Sequence, residues 1–229
     1  AQSATITVTQ AGDIIATYST YYELTMGVSP SGFGSTTPAV GTYWEPAGAQ
    51  IQISASSGSG YIFAGWSGTG SGSYTGSSKQ ETITMDAPIT ETAEFELPSI
   101  TFEETGLPSS AVGTVLTVSY GGNTFTYTVS QLPVTLNIQG GTSVSFSYAS
   151  PVYSGTPGVR YLWGSTSDNF NANLGQSGSF TMPTMSNAYV EAAYGNVQGG
   201  GGLQYQLNMS ISPPGAGTTS PPLGSNWEK

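Results

Sequence analysis

The chain has 229 residues, of which only 7% are charged, and 13 acids against 3 bases (Lys79, Arg160 and Lys229) leave a net charge of −10. That balance excludes nucleic acid as a partner, which needs several cations on its phosphates. The absence of His and Cys excludes imidazole bases, zinc sites, thiolate chemistry and disulfides. Aromatics at 11% and many alternating Val/Ile/Tyr/Phe runs predict packed sheet, not a disordered chain. No window predicts an amphipathic helix or a membrane span. With three cations, few ion pairs exist to lose, so an acidic external medium is compatible with this composition.

Residues 1–20 contain TITVTQAGDIIATYS. The same outline recurs as TITMDAPITETAEFE at 82–96 and as FTMPTMSNAYVEAAY at 180–194. Each predicts a strand, a short turn and a second strand ending in an aromatic: Tyr18, Phe95 and Tyr194. Residues 1–20 are therefore expected to be the closing hairpin of a preceding repeat.

Unit A follows, over 20–97. Ile51, Ile53 and Ala55 alternate with Gln50, Gln52 and Ser54, the period of a half-buried strand. Then come Gly60–Gly68 (GYIFAGWSG), a Gly/Ser-rich loop over 69–79, and the second closing hairpin. With Gly32, Gly34, Gly41-Thr42-Tyr43, Gly48, the run Gly60-Tyr61-x-Phe63-x-Gly65-Trp66 and Met85, this unit resembles the divergent internalin-type B-repeats that stand in tandem on microbial surface proteins. The resemblance implies a small extracellular β domain with Trp66 in its core.

Unit B, over 98–196, opens Ile100-Thr-Phe-Glu-Glu-Thr-Gly-Leu-Pro108. It resembles the F-x-E-T-G-L-P opening of repeats in large archaeal surface and secreted proteins. Leu116, Val118 and Tyr120 alternate, Gly121-Gly122 predicts a two-residue turn, and Phe125, Tyr127 and Val129 alternate back. Val134, Leu136 and Ile138, a second Gly140-Gly141 turn, and Val144, Phe146 and Tyr148 extend this to an expected antiparallel meander. Tyr161-Leu-Trp163-Gly is expected to replace the Phe63-x-Gly-Trp66 run, making B a diverged copy of A. Residues 197–204 (VQGGGGLQ) read as a flexible linker.

Residues 205–229 restart unit A. Tyr22 aligns with Tyr205, and the same offset pairs Leu24 with Leu207, Met26 with Met209, Pro30 with Pro213, Gly41 with Gly224 and Trp44 with Trp227. An ordered match at Gly, Pro and Trp marks an internal repeat. The segment is expected to be the opening strand of a following A-type unit. The expected fold is all-β: tandem antiparallel sheet or sandwich domains with partial repeats at both ends.

What chemistry remains is carboxylate chemistry. Glu103 and Glu104 are adjacent and point to opposite faces of a strand, so they cannot act as a pair. Asp168-Asn169-x-Asn171-x-Asn173 has the alternating oxygens of a calcium loop but one formal charge and no closing Glu, so it reads as a loop tip. Lys79 reads as a solvated loop residue. No enzyme, cofactor or metal is expected. Trp66 and Trp163 read as core. Tyr22, Tyr43, Tyr74 and Tyr153 are candidates for an adhesive surface that meets glycans, and Asn208-Met209-Ser210 is an acceptor sequon for N-glycosylation. The repeat signature is Tyr61, Phe63, Gly65, Trp66 and Trp163.

The strands carry almost no Lys or other edge-guarding charge. The two end segments therefore become candidates for pairing between chains, through Ile6, Val8, Ile15, Leu207, Met209 and Ile211. The expectation is a non-enzymatic, extracellular, cell-surface structural protein, a tandem β-repeat unit of a stalk, coat or filament whose partner is itself. Alternatives are a filament or surface-layer subunit joined by strand complementation, and a carbohydrate-binding adhesion module.

Overall fold

The structure, a computed structural model, describes residues 7, 12, 13, 15, 17–195, 203–210, 218, 220 and 224–228. It is all-β, with a single 3-10 turn at Val129–Gln131 the only helical piece among the described residues. Unit A contains β1 (Tyr21–Ser29), β2 (Gly34–Thr37), β3 (Gly41–Pro46), β4 (Gln50–Ser57), β5 (Ile62–Thr69), β6 (Gln80–Thr84) and β7 (Ile89–Glu96). Two sheets, ordered β3-β1-β7-β5 and β2-β4-β6, close over one core of Leu24, Met26, Ile53, Trp66, Ile83, Met85, Ile89, Ala93 and Phe95. Alternation decides which side chains go in: β7 buries Ile89, Glu91, Ala93 and Phe95 and exposes Thr90, Glu94 and Glu96.

Unit B contains β8 (Ser99–Thr105), β9 (Ala111–Val112), β10 (Leu116–Tyr120), β11 (Asn123–Tyr127), β12 (Val134–Asn137), β13 (Ser143–Tyr148), β14 (Val152–Ser154), β15 (Val159–Tyr161), β16 (Trp163–Asp168), β17 (Ser177–Thr181) and β18 (Ala188–Tyr194). Its sheets run β12-β8-β18-β16 and β11-β10-β13-β17. The order matches unit A strand for strand, with β11 and the small strands β9, β14 and β15 added. In both units the first and last strands lie side by side and parallel, β1 with β7 and β8 with β18, while every other pairing is antiparallel. Tyr148 ties B's two layers together. It is fully buried, and its hydroxyl donates toward the Glu103 carbonyl at 2.8 Å, with the Val190 carbonyl at 2.9 Å.

Three sequence expectations change. Residues 82–96 and 180–194 are not hairpins: β6 and β7 belong to different sheets, as do β17 and β18. Each segment crosses from one layer to the other. At each crossing stands a buried methionine, Met85 or Met182, whose backbone bonds prolong the ladder of the layer being left, β4–β6 or β13–β17. Met85 exchanges backbone bonds with Gly48 and Ala49, and Met182 with Gly141 and Thr142. Second, only the first hairpin of the expected meander exists. Gly121 and Gly122, at φ 57° and 79°, make its turn, whereas Val129 lies in the 3-10 turn. After it, β12 leaves for the other sheet to pair with β8, so Gly140-Gly141 joins two layers. Third, β19 (Leu203–Met209) begins inside the segment read as a linker and pairs with β20 (Gly224–Glu228).

One glycine is fixed by a neighbour. The Phe95 ring lies where a Cβ on Gly34 would stand. Gly34→Ala is expected to cost unit A about 1–3 kcal/mol, the usual penalty for overpacking, measured by urea unfolding. A variant as stable as the parent would mean that the ring moves freely.

Candidate functional site

The repeat signature is a structural cluster. Tyr61 is half-buried and stacks on Phe33 at 4.0 Å between ring centroids. Phe63 meets Trp66 edge-on at 6.1 Å and Phe95 at 5.6 Å, and Trp66 is 2% exposed. The register between β5 and β7 shifts between Phe63 and Gly65, which aims Trp66 inward opposite Ala93. Gly65 lets the 69–79 loop fold back, since Gly76 Oxygen would lie 3.1 Å from a Cβ there. Trp66 and Gly76 also exchange both backbone bonds.

Trp163 takes a different place from the one expected. It pairs with Tyr194 as Phe63 pairs with Phe95, and the same bulge follows it. Thr166, opposite Ala192, occupies the Trp66 position. Trp163 is therefore half-buried, with its Nε1 donating to Thr166 Oγ1 at 3.0 Å. Of the tyrosines offered as adhesive, Tyr22, Tyr43 and Tyr74 pack against unit A's core, and only Tyr153 is well exposed, at 49%. Trp44, one of the four tryptophans weighed from the sequence as sugar-stacking platforms, is 65% exposed opposite Glu23. The Asp168–Asn173 loop turns its polar atoms on itself. Asp168 Oδ1 accepts from the Phe170 and Ala172 amides at 3.0 Å, and Asn169 bonds Asn187 and Tyr189. Among the described residues no cluster of acidic groups could hold a metal ion.

Glu91 was missed. It is 0% exposed, Oε1 accepts from the Tyr74 amide at 2.6 Å, and Oε2 has no partner. Burial raises its pKa above the ordinary carboxylate value, and the Tyr74 bond opposes this. Glu104 is displaced the same way, by burial against a bond from the Leu107 amide. The phenols of Tyr127, Tyr148 and Tyr194 are also pushed up, chiefly by burial. All the resolved displacements favour the protonated form. The signal was legible: in ITETAEFE, Glu91 falls on the same alternation as Ile89, Ala93 and Phe95.

The feature best suited to association is the edge of β19. Tyr205 pairs with Glu228 and Met209 with Gly224, the register in which Tyr22 pairs with Glu45 and Met26 with Gly41. The β19–β20 pair thus rebuilds β1–β3. In unit A the second edge of β1 is covered by β7, from Leu24 to Ser29. The second edge of β19 is covered only at Leu203–Tyr205, by β15 of unit B. Beyond that point, no described strand occupies it. Leu207, the counterpart of fully buried Leu24, is 41% exposed, and Met209 is half-buried where Met26 is buried. Asn208, on the opposite face, is exposed. Ile15 and Tyr18 lie outside any strand and are 84% and 90% exposed. Ile6, Val8 and Ile211 fall outside the described residues.

Residues 22–99 match the divergent InlB B-repeat domain. The match covers about a third of the chain, and it takes in unit A from β1 through β7; unit B lies outside it. No curated protein matches the chain. Among solved structures, the chain is similar to the major pilin protein T-13 of Streptococcus pyogenes at 10% identity and a TM-score of 0.27, over 78% of this chain and 97% of that one. The T3.2 major pilin of the same species aligns at 11% identity and a TM-score of 0.21, over 69% and 73%.

Proposed function

We propose that this chain is a non-enzymatic structural protein of the cell exterior, built from tandem B-repeat-like units and joined to further copies of itself by strand addition. The B-repeat match over unit A supports the surface setting, and the Phe102–Pro108 opening of unit B agrees with a repeat of the archaeal surface-protein type. The observation that carries the self-association is the β19 edge. It reproduces β1 in register and side-chain order and has an uncovered stretch where β1 receives β7. A strand added there in parallel would cover Leu207 and Met209 as β7 covers Leu24 and Met26. Segments with the outline of 82–96, including 1–20 of a neighbouring chain, have the alternation this edge accepts. Asn208, on the outer face, stays accessible to a glycan in such a joint.

Deleting 205–229 is expected to leave both units folded, with their unfolding transitions retained, and to abolish association in sedimentation. A milder variant, Leu207→Lys with Met209→Lys, places charge on the face to be covered and is expected to weaken association at least tenfold. Normal assembly of either variant would overturn the reading.

A further inference from the structure

A cleft of about 460 Å³ lies where the two units meet. Among the described residues, two hydrogen bonds join the units: the Gly140 amide donates to the Gly60 carbonyl at 2.9 Å, and Gln139 Nε2 to the Ser59 carbonyl at 3.1 Å. These latch the turn before β5 onto the turn before β13. Unit A supplies Ser57, Tyr61, Phe63 and Lys79 to the walls, and unit B supplies Thr184 from its layer crossing. Lys79 and Thr184 therefore meet an aromatic wall in a volume typical of small-ligand sites, at the domain junction where such sites concentrate.

Two of those polar groups lack a protein partner. Ser57 Oγ is buried without a hydrogen bond. Lys79 is exposed, and among the described residues no carboxylate pairs with it, although the chain has 13 acids and only 3 bases. Unit A has no other cation. Ser57 Oγ is closed off behind the wall, so the one charge the cleft itself presents is the Lys79 ammonium, which favours a ligand carrying a negative charge. The surrounding charge of −10 disfavours a polyanion. Tyr61, held flat by its stack on Phe33, and Phe63 offer apolar ring surface beside these groups.

We propose that this cleft binds a carboxylated sugar, a uronic acid residue. Its carboxylate would pair with Lys79, a hydroxyl with Thr184, and its apolar ring face would lie against Tyr61. Because Thr184 comes from unit B, occupancy would also stiffen the junction. The site is distinct from the β19 edge, and its test does not depend on assembly.

The test is titration of the intact chain with D-glucuronate, followed by calorimetry and by chemical shifts of backbone amides around 57–63 and 184. D-glucose and acetate are run as separate arms. Saturable glucuronate binding is expected, with glucose and acetate each about tenfold weaker or more, since each keeps only part of the contact set. Lys79→Met is expected to weaken glucuronate about tenfold, and Thr184→Val a few-fold, without altering either unit's unfolding. Absence of saturable glucuronate binding, equal binding by Lys79→Met, or acetate binding as well as glucuronate would each overturn the proposal.

Discussion

Replacing Trp66 with alanine is expected to destabilise unit A by about 3–5 kcal/mol, the range for deleting a large core aromatic. The indole is 2% exposed and closes the core between Phe63 and the β7 row. Its Nε1 is buried without an acceptor. An orphaned donor is itself costly, so Trp66→Phe, which removes that donor and keeps a ring, is expected to lose much less than the alanine variant. Urea unfolding followed by backbone signals reads both, and unit B's transition should stay in place. A cost below about 1 kcal/mol for Trp66→Ala would show that the core does not rest on this residue.

Unit A is also expected to be more stable in acid than at neutral pH. Glu91 has a folded pKa above its ordinary value of 4.5, because burial penalises its charged form. The folded state then holds this proton more tightly than the unfolded chain. Its contribution is fully present below the unfolded pKa and is lost as pH rises through the folded one. Within that window the slope is about 1.4 kcal/mol per pH unit. Glu104, on β8, gives unit B a dependence of the same sign. Glu91→Gln, neutral at every pH, should flatten the profile and be at least as stable as the parent at pH 7. Thermal melts from pH 3 to 8 decide it: a parent whose melting temperature falls in acid, or a variant with the parent's slope, would contradict the assignment. This sharpens the compositional expectation, from indifference to acid toward a preference for it.

The strands themselves were legible in the sequence, and their partners were not. Alternation at Ile51/Ile53 and at Leu116/Val118 marks half-buried strands, and Gly121-Gly122 marks a turn, because both signals are local. Whether Thr82–Thr84 and Ile89–Phe95 pair with each other depends on which other strands take them up, β4 for the first and β1 and β5 for the second. Those strands are distant in sequence, so the layer crossing read as a hairpin. Trp163 was aligned with Trp66 by residue type, but the bulge fixes register, and it puts Trp163 in the place of Phe63. Tyr22, Tyr43 and Tyr74 were offered as adhesive surface residues, yet pack against the core, because burial depends on which face neighbouring elements cover. The cleft at Lys79 was not legible, since Thr184 reaches it only through the packing of two units. The β19 register was legible, because the repeat carries the pairing of β1 with β3 in its spacing.

The side-by-side parallel arrangement of each unit's first and last strands has a mechanical meaning. Chain direction is the same in β1 and β7, so the polypeptide enters unit A at one end of the sheet and leaves at the other. Unit B repeats this with β8 and β18, and only Leu97 and Pro98 separate the two units. Tension applied along the chain would therefore try to slide β1 past β7, loading their rungs together in shear. A hairpin pulled at its ends opens one rung at a time; these ladders have to yield as a whole. In units connected in this way, stretching would be resisted by every rung of the terminal pair at once.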